Sequence, residues 1–224
     1  MTLEEFYTKK LFARGSNSKC YLVGQDRVLK IFNTPKTIDN VEKFKYFLEY
    51  ENDSFIFPYE FIVYNNQFLG YVTQKSEGKE LEEIFDNIDF NVYSYLSKTL
   101  EKDIEYISEG KIIITDLSTR NILCEKESLK VIDPDFYKIY KSKSSDYVLD
   151  CNMYTYKYCI TNLFIFPYLN LNKQPDKYVV DKINSYLKSN ICVSEIIISL
   201  KNDLEIYYNS EFRNLKEFKK VLRR

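Results

Sequence analysis

The spacing of apolar residues changes character about a third of the way along this chain, and that change limits the folds open to it. Up to Gln74 the apolar residues come in short runs broken by turn residues. "KCYLVGQDRVLKIF", residues 19–32, is two such runs around Gly-Gln-Asp and predicts a β-hairpin. "FIFPYEFIVYNNQFLGYVTQ" predicts strand, Asn-Asn turn, strand. Between them, "TIDNVEKFKYFLEYEN" sets Val41, Phe44 and Leu48 at helical spacing behind a cap at Asp39 or Thr37. Further on, "VYSYLSKTLEKDIEYISEG" puts Val92, Leu96, Leu100, Ile104 and Ile107 on one helical face, closed by Gly110. "KIIIT", "NILCE" and "LKVID" read as short strands, and from Asp150 the pattern is helical to the end, with a break around "FPYLNLNKQPD". The expectation is an α+β chain with two lobes. Residues 1–75 form a small β-rich N-lobe with one helix, residues 76–224 a shortened, mainly helical C-lobe, and the seam falls near Lys75–Gly78.

Composition narrows the chemistry. The chain contains no His, which excludes His-based triads, His general bases and His-ligated zinc, so proton transfer must fall to carboxylates, Lys, Tyr or Cys. The net charge of -1 gives no global attraction to nucleic acid or acidic membranes, and neither is an expected partner. The basic tail "FRNLKEFKKVLRR" reads as an amphipathic last helix, with a local basic patch as the other reading. The five cysteines are scattered and include no C-x-x-C pair, as in a reduced cytoplasmic protein that uses thiols as small apolar residues. "MTLEEFYTKK" lacks the apolar stretch of a signal peptide, and "CITNLFIFPYLNL" is too short and broken to span a bilayer.

Polar residues cluster where the short central strands end. In "ITDLSTRNIL" and "VIDPDF", Asp116, Asn121 and Asp133 each follow or adjoin an apolar run. They are either turn residues between buried strands or three oxygen ligands directed into one cleft. Upstream, Lys30 lies mid-strand in "RVLKIF", where a lysine is costly unless it meets an anion or points to solvent from an edge.

In this order, the pieces resemble the protein-kinase-like superfamily, in a divergent and minimal form of bacterial or phage type. The resemblance covers about Phe12 to Asp150. It implies a bilobal protein-kinase-like fold and an ATP- and Mg²⁺-dependent (or Mn²⁺-dependent) kinase. "FARGSNSKCYLV" looks like a degenerate phosphate-covering loop, of whose usual three glycines only Gly15 stands, with Ser16 and Ser18 nearby; a plain hairpin turn is the alternative. "RVLKIF" resembles the lysine strand: Lys30 would hold the α- and β-phosphates and pair with a helix glutamate, Glu42 or else Glu49. "ITDLSTRNIL" resembles the D-L-x-x-x-N catalytic loop, with Asp116 as the base and Asn121 as a metal ligand. "VIDPDF" looks like a variant of D-F-G, with Asp133 rather than Asp135 on the metal. The resemblance adds Cys20, Val28 and Leu123 around the base of the nucleotide, and the backbone of Thr73, Gln74 and Lys75 in "VTQKSEGKEL" at its adenine edge. "FIFPYEFIVYNNQFLGYVTQ" is also similar to a stretch leading to the hinge in a divergent bacterial branch.

The departures are specific. H-R-D is replaced by Ile114-Thr115-Asp116, which removes the Arg that answers an activation-loop phosphate. Arg120 sits where it would stabilise the γ-phosphate, or is a surface Arg. Asp133-Pro134-Asp135 lacks the glycine hinge, and no A-P-E follows. Asp150, at the start of "LDCNMYTYKYCITNLF", either bonds the catalytic loop as the family's helix aspartate does or is a helix N-cap. The implied function is transfer of the γ-phosphate to a Ser, Thr or Tyr hydroxyl of an unidentified protein. The alternatives are a pseudokinase or nucleotide-binding scaffold, a small-molecule kinase, a nucleotidyl transferase, and an interaction protein unrelated to kinases.

Overall fold

The computed structural model describes residues 10–224, so the acidic start read above as lacking an apolar leader lies outside the described residues. The chain is mixed α+β, and it divides into two compact units between Glu77 and Gly78. Among the described residues no helix is long and apolar enough to cross a membrane.

The first unit is a five-stranded antiparallel sheet: β1 (Leu11–Arg14), β2 (Ser18–Val23), β3 (Arg27–Thr37), β4 (Glu60–Tyr64) and β5 (Gln67–Gln74), in the order β1-β2-β3-β5-β4. The β4–β5 hairpin turns on Asn65 and Asn66, both with positive φ, which asparagine tolerates better than most residues. Helix α1 (Asp39–Leu48) buries Val41, Phe44 and Phe47. Phe44 packs edge-on to Tyr71, with ring centroids 5.3 Å apart, so α1 lies on the sheet face that carries Tyr71. The helix does not use the expected cap. Ile38 precedes it without a side-chain cap bond, and Asn40 Nδ2 instead donates to the carbonyl and hydroxyl oxygens of Thr37. On the other face Leu29 packs with Val23 and Val72.

The second unit is mainly helical with two small sheets. Its elements are β6 (Lys79–Glu80), α2 (Leu81–Ile84), α3 (Phe90–Glu109), β7 (Ile112–Ile113), β8 (Ile122–Cys124), β9 (Leu129–Val131), a 3₁₀ turn (Pro134–Phe136), β10 (Lys138–Ile139), α4 (Ser145–Leu163), α5 (Phe166–Leu169), α6 (Lys177–Leu187), α7 (Val193–Tyr208) and α8 (Leu215–Leu222). One sheet runs β6-β8-β9, and the other pairs β10 with β7. Helix α3 is the spine. Its buried face is Phe90, Tyr93, Leu96, Leu100, Ile104 and Ile107, whereas Val92, expected inside, is 49% exposed. Its register runs through Tyr93 and not Val92. Glu101, buried on α3, caps the start of α7 by accepting the N–H of Val193 and, at 3.4 Å, that of Ser194. The basic tail is the amphipathic helix α8, capped by Asn214 and tied back by Lys219 to Asp86 at 2.5 Å.

Close approach of β3 and β5 depends on one glycine. A Cβ on Gly70 would sit 2.1 Å from the carbonyl oxygen of Lys30. We expect Gly70→Ala to push the strands apart and cost about 1–3 kcal/mol, an overpacking penalty, read as a lower urea midpoint with an unchanged slope.

Candidate functional site

In the second unit, the chain leaves β7 for a loop that carries Thr115, Asp116 and Asn121 before it enters β8. The loop is anchored by apolar side chains facing inward: Ile114 is 1% and Leu117 8% exposed. Within it the N–H of Asn121 donates to the carbonyl of Ser118 at 3.0 Å. The Asn121 side-chain amide donates to the backbone carbonyl of Asp116 at 2.9 Å. That bond uses Nδ2 and fixes the amide orientation, leaving Oδ1 as an oxygen acceptor. The carbonyl of Asn121 takes the N–H of Ile132 at 2.9 Å, which draws the strand ahead of Asp133 alongside the loop.

Asp133 has φ 64° and ψ 61°, the left-handed region, and is followed by Pro134 at the first position of the 3₁₀ turn. An Asp in that region is uncommon, and strain of this kind concentrates at functional positions. Behind it lies Tyr137, 1% exposed. Burial pushes the Tyr137 hydroxyl pKa well up, and the charges of Asp133 and then Asp116 push it further. Asp116, Asn121 and Asp133 are all half-buried. Asp135 is buried in the 3₁₀ turn.

These oxygens suit a hard divalent cation. Mg²⁺ takes few protein carboxylates and completes its shell with phosphate and water, and one Asp beside an oriented Asn oxygen matches that demand. Among the described residues no group of three or more His, Cys, Asp or Glu is gathered as for a cation held by protein alone.

The loop is held from below by a residue that the sequence reading passed over. Asn152, on α4 and 0% exposed, accepts the N–H of Ile114 on Oδ1 at 2.8 Å. Its Nδ2 donates to the carbonyl of Ile112 at 2.8 Å and to Ser108 Oγ at 2.9 Å. The role proposed for Asp150 thus falls to Asn152. Asp150 is neither cap nor loop anchor: α4 begins at Ser145 under the cap of Ser144, and Asp150 is exposed within the helix. A signal for Asn152 was present, since it stands in helical register with Val148 and Tyr156, both 0% exposed.

Arg120 lies on the exposed surface, committed to Glu82 through Nε to Oε2 at 3.0 Å and Nη2 to Oε1 at 3.3 Å. Thr119 Oγ1 donates to the same carboxylate, and these bonds hold the Glu82 pKa below its ordinary value. Leu123 sits half-buried in β8, opposite Glu80 and Lys130.

The remaining candidates belong to the first unit. Lys30 is 7% exposed on β3, paired across the sheet with Cys20 and Tyr71, and its Nζ lies 5.8 Å from the Tyr71 ring centroid. It is not the solvent-facing edge lysine of the alternative reading. Glu42 does not serve it: α1 turns Glu42 outward, and its carboxylate takes Lys45 at 2.8 Å. Glu49, at the end of α1, is also exposed. Gly15 and Ser16 form the β1–β2 turn, where the N–H of Gly15 donates to the carbonyl of Ser18, and Ser18 itself is buried. Val28 pairs with Thr73, and Arg27 with Gln74. The backbone N–H of Lys75, expected at the adenine edge, donates to the carbonyl of Asp26 at 2.7 Å, and its ammonium pairs with Glu77.

No protein-family model matches the sequence, and a comparison with curated proteins finds no match. Asn152→Ala should cost about 3 kcal/mol, because it strands the buried N–H of Ile114 and carbonyl of Ile112. Asp150→Ala should change stability by less than about 0.5 kcal/mol, as surface substitutions do. Urea unfolding of the two variants side by side measures the difference.

Proposed function

We propose that this chain is an ATP-dependent phosphotransferase with a bilobal protein-kinase-like fold, acting on a protein hydroxyl of Ser, Thr or Tyr. The observation that carries the reading is the arrangement around Asp116 and Asp133: an Asn amide locked onto the backbone of one aspartate, the other aspartate in a left-handed turn, and the two segments joined by the bond from the N–H of Ile132 to the carbonyl of Asn121. In the first unit, taken by itself, Lys30 is a buried lysine on β3, the residue type that the resemblance assigns to phosphate.

Asp116 orients the acceptor hydroxyl and takes its proton as the acceptor oxygen bonds to the γ-phosphorus. The bond from that phosphorus to the β–γ bridging oxygen breaks, and ADP leaves with the electron pair. Asn121 and Asp133 would hold Mg²⁺ or Mn²⁺, which when bound neutralises phosphate charge. Arg120, bound to Glu82, has no part in this scheme.

A second reading, a nucleotide-binding scaffold without transfer, is favoured by one observation: Glu42 is spent on Lys45 rather than on Lys30. Incubation with γ-labelled and, separately, α-labelled ATP plus Mg²⁺ decides between them. The expected result is label from the γ position only, reduced about 10²- to 10⁴-fold in Asp116→Ala and Asp133→Ala. Label from the α position would mean nucleotidyl transfer. Absent label together with an ATP-induced rise in melting temperature would leave the scaffold.

A further inference from the structure

The residue before Asp116 makes a contact that ties together the two strand ends on which the proposed chemistry depends. Thr115 Oγ1 donates to the backbone carbonyl of Phe136 at 2.6 Å. Phe136 closes the 3₁₀ turn that begins at Pro134, directly after Asp133. The bond therefore joins the residue next to one carboxylate to the turn that follows the other.

Neighbouring bonds extend the join in both directions. The N–H of Tyr137 donates to the carbonyl of Pro134, closing the turn. Lys138 and Ile139 pair antiparallel with Ile113 and Ile112. The N–H of Tyr140 donates to the carbonyl of Lys111 at 2.8 Å. The segment after Asp133 thus runs back along the strand that leads into Asp116. The Thr115 hydroxyl adds a side-chain bond to this ladder, between the residue before Asp116 and the third residue after Asp133.

We infer that Thr115 is a positioning residue, whose hydroxyl fastens the Asp116 loop to the turn behind Asp133 and so fixes the separation of the two carboxylates. The inference rests on the phosphotransferase reading. Thr115 touches no reacting atom and acts through the backbone of the 3₁₀ turn. Its side chain is exposed, and an exposed hydrogen bond adds little to global stability. Misplacing a catalytic group by about 1 Å, by contrast, costs about a hundredfold in rate. A purely structural role and a positioning role therefore predict different experiments.

Thr115→Val keeps the branched shape and removes the hydroxyl, while Thr115→Ser keeps the hydroxyl. The probe is γ-labelled ATP with Mg²⁺, read as phosphate released to water and as label on the protein itself. In Thr115→Val, kcat should fall at least about tenfold with KM for ATP within about twofold, the pattern of a lost transition-state interaction. Thr115→Ser should keep a kcat within about twofold of wild type, and both variants should melt without nucleotide within about 2 °C of it. Wild-type transfer with an undiminished Thr115→Val overturns the positioning role alone. So does an equal loss in Thr115→Ser, or a loss that tracks a lowered melting temperature. A wild-type chain that transfers no phosphate overturns the phosphotransferase reading and the positioning role together.

Discussion

A buried side-chain amide with no access to water must find its partners within the protein, and in the second unit that requirement sets the position of everything around Asp116. Asn152 meets it with the N–H of Ile114, the carbonyl of Ile112 and the hydroxyl of Ser108. Three elements meet at that amide: the last turns of α3, the strand β7 and the middle of α4. Because an orphaned buried donor or acceptor costs about 1–3 kcal/mol, the amide resists any sliding of β7 along α4. The position of Asp116 in this unit is thus tied to helix packing as well as to the bonds of its own loop.

From that anchor the order passes outward by backbone bonds. Asn121 turns its amide onto Asp116 and accepts Ile132, and Ile132 delivers Asp133. Polar side chains are used here to fix the backbone, while Ile, Leu and Val provide burial beneath. The same division holds at α7, where the carboxylate of Glu101 caps a helix start inside the core and the aliphatic residues of α3 and α7 fill the space around it. Burial raises the Glu101 pKa, against the amide bonds that lower it.

Features set by neighbours in the chain were legible in the sequence. The Asn65–Asn66 turn, the hairpin around Gly24, the three short strands and the amphipathic last helix need only local pattern, and each is found. Features set by which face of a helix turns inward were less so. Val92 and Asp150 each match a pattern by residue type, yet Tyr93 and Asn152, one and two positions later, face the core. Two positions along a helix are about 200° of rotation, so a small error in register moves a residue to the opposite side. Contacts across long separations were not legible at all. The Glu82 carboxylate that takes Arg120, and the Asp26 carbonyl that takes the N–H of Lys75, lie far away in sequence and carry no local mark. Glu42 is the instructive exception, because Lys45 three residues on was a ready local partner.

Backbone strain points to the same place as the polar contacts. Among the described residues six non-glycine residues have positive φ: Asn65, Asn66, Lys111, Asp133, Asn172 and Asn209. Four are asparagines, which enter the left-handed region at low cost, in a hairpin turn, a loop and a helix end. Lys111 and Asp133 remain, and for a lysine the conformation has no local side-chain bond to favour it. Lys111 opens the strand that leads to Asp116, and Asp133 opens the turn that pairs back along it. Each is secured by bonds from the other's segment: the carbonyl of Lys111 takes the N–H of Tyr140, and the turn after Asp133 takes the Thr115 hydroxyl. Strain persists only where the surroundings over-determine it. Here the two strained residues stand at the two ends of the stretch that carries Asp116 and Asn121, and the bonds between their segments hold both in place.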